Sequence, residues 1–126
     1  MAVTKTTAID NLGGILIVDF SANTDVESNV TGNTSGSLFL VDVDNTANSS
    51  TSAYVKIKDA ASANSSSVGT LTPHFMFVAP PGTKTSYAMP EGQTYSAGLS
   101  VWCTTSNAAQ NIISPANPVI VRLVAS

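Results

Sequence analysis

Tyr54-Val55-Lys56-Ile57-Lys58-Asp59 opens the stretch whose reading decides the fold of this chain. On an extended backbone Val55 and Ile57 point one way and Tyr54, Lys56 and Lys58 the other, which is the period of a strand. A Ser-rich turn follows, then the apolar run Leu71 to Ala79 and the breaker Pro80-Pro81-Gly82. In that run Phe75 and Phe77 oppose His74, Met76 and Val78. Lys84–Ala88 reads as another strand, and Pro90-Glu91-Gly92-Gln93 as a turn into one long segment, Thr94 to Thr105. There Leu99, Val101 and Cys103 alternate with Ser100, Trp102 and Thr104, and Gly98 predicts a bulge or a close approach. Turn signals alternate with short apolar runs, and no helical period is present. The predicted architecture is all-β: an antiparallel β-sandwich, jelly-roll or Ig-like, of about seven or eight strands with no substantial helix.

Working outward, Asn45 to Ser52 is a turn-rich connection and Ser37 to Asp44 a strand, with Phe39, Val41 and Val43 on one face and Leu38, Leu40, Asp42 and Asp44 on the other. Residues 21–36 form a polar loop with a short strand near Val26–Val30. Ile15-Leu16-Ile17-Val18-Asp19-Phe20 reads as a strand apolar on both faces, either central in the sandwich or covered by a partner. Residues 1–14 read as an extended N-terminal arm ending in Gly13-Gly14, and 15–126 as a single domain. At the other end Val119, Val121 and Leu123 oppose Ile120, Arg122 and Val124 in a last strand.

Composition narrows the function classes. Only 10% of the 126 residues are charged, against about 25% for a typical soluble domain. Ser, Thr and Asn must therefore cover much of the surface. The five basic residues, Lys5, Lys56, Lys58, Lys84 and Arg122, form no run, and the net charge is −3. Phosphate binding needs clustered cations, so neither nucleic acid nor a membrane surface is an expected partner. No segment approaches the length that spans a bilayer. Cys103 is the single cysteine, so no internal disulfide forms. That fits synthesis in a reducing compartment, as does the lack of an apolar leader after Met1.

Candidate chemistry is sparse. His74 lies in an apolar run with no orienting acid or nucleophile in the pattern, and reads as structural. Asp42-Val43-Asp44-Asn45 offers oxygens that Ca²⁺ would accept, and Asp19 and Asp59 stand at other strand ends. The glycine and distal glutamate of a calcium loop are missing, however. Asp42, Asp44 and His74 would be the residues of a hydrolase on this scaffold. Cys103 beside Trp102 reads as a small core residue. Tyr54, Tyr87, Tyr95 and Trp102 would be the stacking platform of a glycan-binding module. The expectation is no enzyme, no metal and no cofactor. Surplus apolar strand faces point instead to contacts with other protein, through Ile15, Ile17, Phe20, Phe75, Met76 and Phe77.

One resemblance bears on this. Tyr54 to Ala60, Val68-Gly69-Thr70 with Pro73, and Pro81-Gly82 resemble small virion proteins of tailed bacteriophages, including cyanophages. So do Pro90-Glu91-Gly92-Gln93-Thr94-Tyr95 and Ser96-Ala97-Gly98-Leu99-Ser100-Val101-Trp102-Cys103-Thr104. The similarity covers a little under half of the chain, and its motifs are turns and core strands. It implies a β-sandwich decoration or cement protein on the exterior of the capsid. Its partners would be the major capsid protein and further copies of itself, as a homodimer or homotrimer. The alternative is a tail or fibre module that binds host surface glycans. The arm, residues 1–14, would reach onto an adjacent subunit.

Overall fold

A computed structural model describes residues 3–7, 14–64, 68–109 and 111–126. Eight strands form two antiparallel sheets: β1 (Val3–Thr7), β2 (Ile15–Ala22), β3 (Gly36–Asp44), β4 (Ala53–Asp59), β5 (Phe75–Ala79), β6 (Lys84–Tyr95), β7 (Leu99–Thr104) and β8 (Val119–Ala125). The larger sheet runs β1-β2-β8-β3-β6 and the smaller β5-β4-β7. No helix is present among the described residues. The β-sandwich expected from the alternating pattern is therefore the fold.

The core lies between the inner faces. Val119, Val121, Leu123 and Ala125 of β8 point in together, as their alternation requires, and meet Val55 and Ile57 of β4 and Leu99, Val101 and Cys103 of β7. The stretch from 23 to 30 lies along the free edge of β7. Glu27 and Val101 exchange both backbone hydrogen bonds at 2.9 Å, and the Val30 N–H reaches the Leu99 carbonyl at 2.8 Å. This is the short strand foreseen near Val26–Val30, reduced to an isolated bridge. It removes an open edge that would otherwise invite strand pairing.

Three expectations change. Val3–Thr7 does not project; it pairs with β2, from Val3 opposite Asp19 to Thr7 opposite Ile15. The rest of the arm, residues 1–2 and 8–13, lies outside the described residues. In β3 the register shifts between Leu38 and Leu40, so Leu38, rather than Phe39, joins Val41 and Val43 in the core. A bulge flips the face of every residue before it.

The third change concerns the segment around Pro90 and Gly98. Pro90 to Gly92, read as a turn, lies inside β6: Ala88 pairs with Leu40 and Gln93 with Leu38, and the residues between them loop out. Pro90 has no N–H to give, and β6 is an edge strand, where that is tolerated. The break comes instead at Ser96–Gly98. Gly98 has φ +147°, and a Cβ there would sit 2.9 Å from the Ala60 carbonyl oxygen.

The Asp59 carboxylate fastens that turn. It accepts the backbone N–H groups of Ser96 (3.0 Å), Ala97 (2.8 Å) and Gly98 (3.3 Å). Partial burial works to raise its pKa, but these donors, helped by nearby His74, leave it below the ordinary 3.8. The stability it lends is therefore full above that value and is lost as pH falls through the lower folded one. Asp59→Asn should cost about 1–2 kcal/mol at pH 7, since charge-assisted hydrogen bonds become neutral ones. Urea midpoints at pH 7 and pH 3 check this. The gap between variant and parent should be smaller at the lower pH, and equal midpoints at pH 7 would refute the assignment.

Candidate functional site

The two outer faces differ in cover, and that difference places the candidate site. Outward residues of the small sheet include Lys56 of β4, paired with Trp102 of β7, and Ser100 and Thr104 beside it. All four are buried. Residues 105–109 lie against them: the Lys56 ammonium donates to the Ala108 carbonyl at 2.5 Å, and Thr104 donates to the Ser106 carbonyl at 2.9 Å. Val68 is buried in the segment before β5. Lys56, placed by alternation on the face opposite Val55 and Ile57, is thus enclosed, because strand alternation says which face a residue is on and not what covers that face. Desolvation holds its pKa below the usual lysine value. The Trp102 indole N–H is buried with no hydrogen-bond partner.

Among the described residues, none lies over the outer face of the large sheet in this way. Leu16 and Phe20 of β2 are 39% and 49% exposed. Val18, Leu40, Ile120 and Val124 are half-buried around them. One polar cluster interrupts this face. Asp42 of β3 accepts from Ser86 at 2.6 Å and pairs with Arg122 at 3.5 Å and Lys84 at 3.6 Å. On the far side of the molecule Met76 of β5 is 42% exposed, and Ile112 and Ile113, on the loop after β7, are 66% and 60% exposed. Large apolar side chains thus stand exposed on both outer faces.

The six residues foreseen as an interface therefore separate. Phe20 and Met76 are available at the surface, on opposite faces. Ile17 is enclosed in the core and offers nothing to a partner, because β2 turns it inward. Ile15, Phe75 and Phe77 are half-buried and pack against the core. Phe77 also tilts onto Tyr87 at a ring separation of 5.3 Å. Leu16, Ile112 and Ile113 were missed. Leu16 follows from simple alternation with Ile17 once the inward face is known; the two isoleucines stand in a loop with no periodic signal.

The chemical candidates are not brought together. Asp42 and Asp44 lie on β3 in the large sheet, where Asp44 is taken up by Thr46 at 2.6 Å. His74 precedes β5 in the small sheet; it is exposed, and its Nδ1 accepts the Asp59 N–H at 2.9 Å. Among the described residues no three His, Cys, Asp or Glu gather to hold a metal ion. Burial, and then the charge of Asp19, push the Cys103 thiol up to about 12. A thiol held neutral in this way is no nucleophile at ordinary pH. Trp102 and Tyr95 are buried, and the Tyr95 hydroxyl is engaged by Thr31 (2.9 Å) and donates to the Ser126 carbonyl (2.6 Å). Two members of the aromatic platform imagined for glycans are thus inside the protein. No family model matches the chain, and no curated protein or solved structure matches it either.

Proposed function

We propose that this chain is a non-enzymatic structural protein of a bacteriophage virion, a decoration or cement protein bound to the exterior of the head. Its partners are the major capsid protein and further copies of itself. The observation that carries the reading is the pair of apolar outer faces on one rigid sandwich, Phe20 with Leu16 on one and Met76 with Ile112 and Ile113 on the other. A protein that bridges neighbours needs two such faces, and a lattice multiplies modest contacts into firm attachment. The weakly charged, hydroxyl-rich surface suits close crowding of many copies. The phage-like turns between Tyr54 and Thr104 point to the virion in particular.

The test is occupancy on the particle. Cryo-EM of virions should show this chain on the shell, and Met76→Asp combined with Ile113→Asp should lower its occupancy at least about tenfold, the equivalent of 1.4 kcal/mol. A shell without density for the chain would remove the proposal.

A further inference from the structure

We propose that His74 is a pH-sensitive latch, which holds the segment Val68–His74 to the end of β4 and lets go when its imidazole takes up a proton. This does not depend on the virion reading.

His74 extends the pairing of β4 with β5 by one step, and it does so partly with its side chain. Its backbone N–H donates to the Ile57 carbonyl at 2.9 Å. Its Nδ1 then accepts the Asp59 N–H at 2.9 Å, in the role that a backbone carbonyl plays in a regular ladder. An imidazole nitrogen accepts only while it carries no proton, so in this bond the ring is neutral with its hydrogen on Nε2. A protonated ring is a donor at both nitrogens. Its Nδ1–H would then face the Asp59 N–H, and two donors cannot share the bond. The ring must turn away, and the Asp59 N–H is left to water.

Little else opposes that release. The charged groups beside the ring both belong to β4. One is the Lys58 ammonium, which donates to the Thr72 carbonyl at 3.3 Å. The other is the Asp59 carboxylate, whose oxygens are turned to the N–H groups of Ser96, Ala97 and Gly98. No residue from 60 to 73 is charged, and none in the turn 96–98. An ion pair between Asp59 and an exposed imidazolium adds little. Asp59 does not itself titrate in the imidazole range, because despite partial burial its N–H donors hold the carboxyl below 3.8. His74 is exposed, so protons reach it without unfolding. The segment it holds carries Val68, which is buried. It also carries Gly69, where a Cβ would stand 3.2 Å from Ile112.

Amide hydrogen exchange read by NMR tests this, with each rate divided by the intrinsic rate at the same pH. Between about pH 8 and about pH 5, where imidazoles take up a proton, protection of the Asp59 N–H should fall at least about tenfold. Protection of Val55, in the middle of β4, should stay level. His74→Asn puts an amide oxygen where Nδ1 stands, and that oxygen accepts throughout the range. The variant should keep the protection and lose its pH dependence. His74→Leu has no acceptor, and should leave Asp59 weakly protected at both pH values. A parent with equal Asp59 protection at both would overturn the proposal. So would a pH dependence that persists in His74→Asn, or a His74→Leu that matches the parent at the higher pH. If His74→Leu does not fold, the parent and His74→Asn decide.

Discussion

Trp102→Ala lowers the stability of the chain by about 3–5 kcal/mol, the range for truncating a large buried aromatic. Trp102 is the largest fully buried side chain, and it lies outside the main core, between the small sheet and residues 105–109 of the loop after β7. Its neighbours on the sheet are Lys56, Ser100 and Thr104. With total stability typically about 5–15 kcal/mol, such a loss unfolds a sizeable fraction of molecules on mild heating. Trp102→Phe keeps most of the volume and removes an N–H that has no acceptor, so it should cost less than about 1.5 kcal/mol. Urea unfolding followed by circular dichroism measures both. A shift below about 1 kcal/mol for Trp102→Ala would mean that the loop does not pack on the sheet as described.

Lys56→Met should act in the opposite direction, raising stability at pH 7 by about 1–3 kcal/mol. The ammonium is enclosed with a single carbonyl acceptor in Ala108, and an unpaired buried charge is costly. Methionine retains the aliphatic stem and fills the same channel. The pH dependence carries the proof. Burial lowers the folded pKa of Lys56 below 10.5, so between the two values the unfolded chain binds a proton that the folded one does not. Parent stability therefore rises with pH across that window, and the advantage of the variant shrinks as pH nears 10.5.

Cys103 works against this. Its folded pKa of about 12 stands above the usual 9.0, so the stability from its neutral thiol is full below 9.0 and is lost as pH climbs towards 12. Near pH 10 the two slopes oppose each other in the parent, while Lys56→Met retains only the fall. Urea midpoints at pH 7, 9 and 10.5 separate these outcomes. A variant less stable than its parent at pH 7 would show that the Lys56–Ala108 hydrogen bond outweighs the desolvation of the charge.

Both predictions come from the outward face of the small sheet, whose cover no pattern in the sequence announces. The alternation in Tyr54–Lys58 and Val119–Val124 correctly assigns inward and outward residues, because a pleated backbone alternates its side chains whatever surrounds it. For the same reason Gly98 was legible as a special position. Phe39 was not, since the bulge in β3 shows only in its pairing with β8, where Leu38 and Leu40 oppose the adjacent Ala125 and Val124. Nor were Pro90 to Gly92, whose turn chemistry is satisfied by an outward loop within one strand.

By itself, then, the sequence determined the sandwich and its inner faces, a surface poor in charge, and more apolar strand face than one core consumes. Only the tertiary structure decided where that surplus ends up. Ile17 goes inside, Lys56 and Trp102 go under a loop, and Leu16, Phe20 and Met76 are left to solvent. The physical reason is that alternation along a strand is a local property, whereas cover on the outward side comes from segments distant in the chain. Residues 105–109 close over one sheet, and no described segment does so for the other.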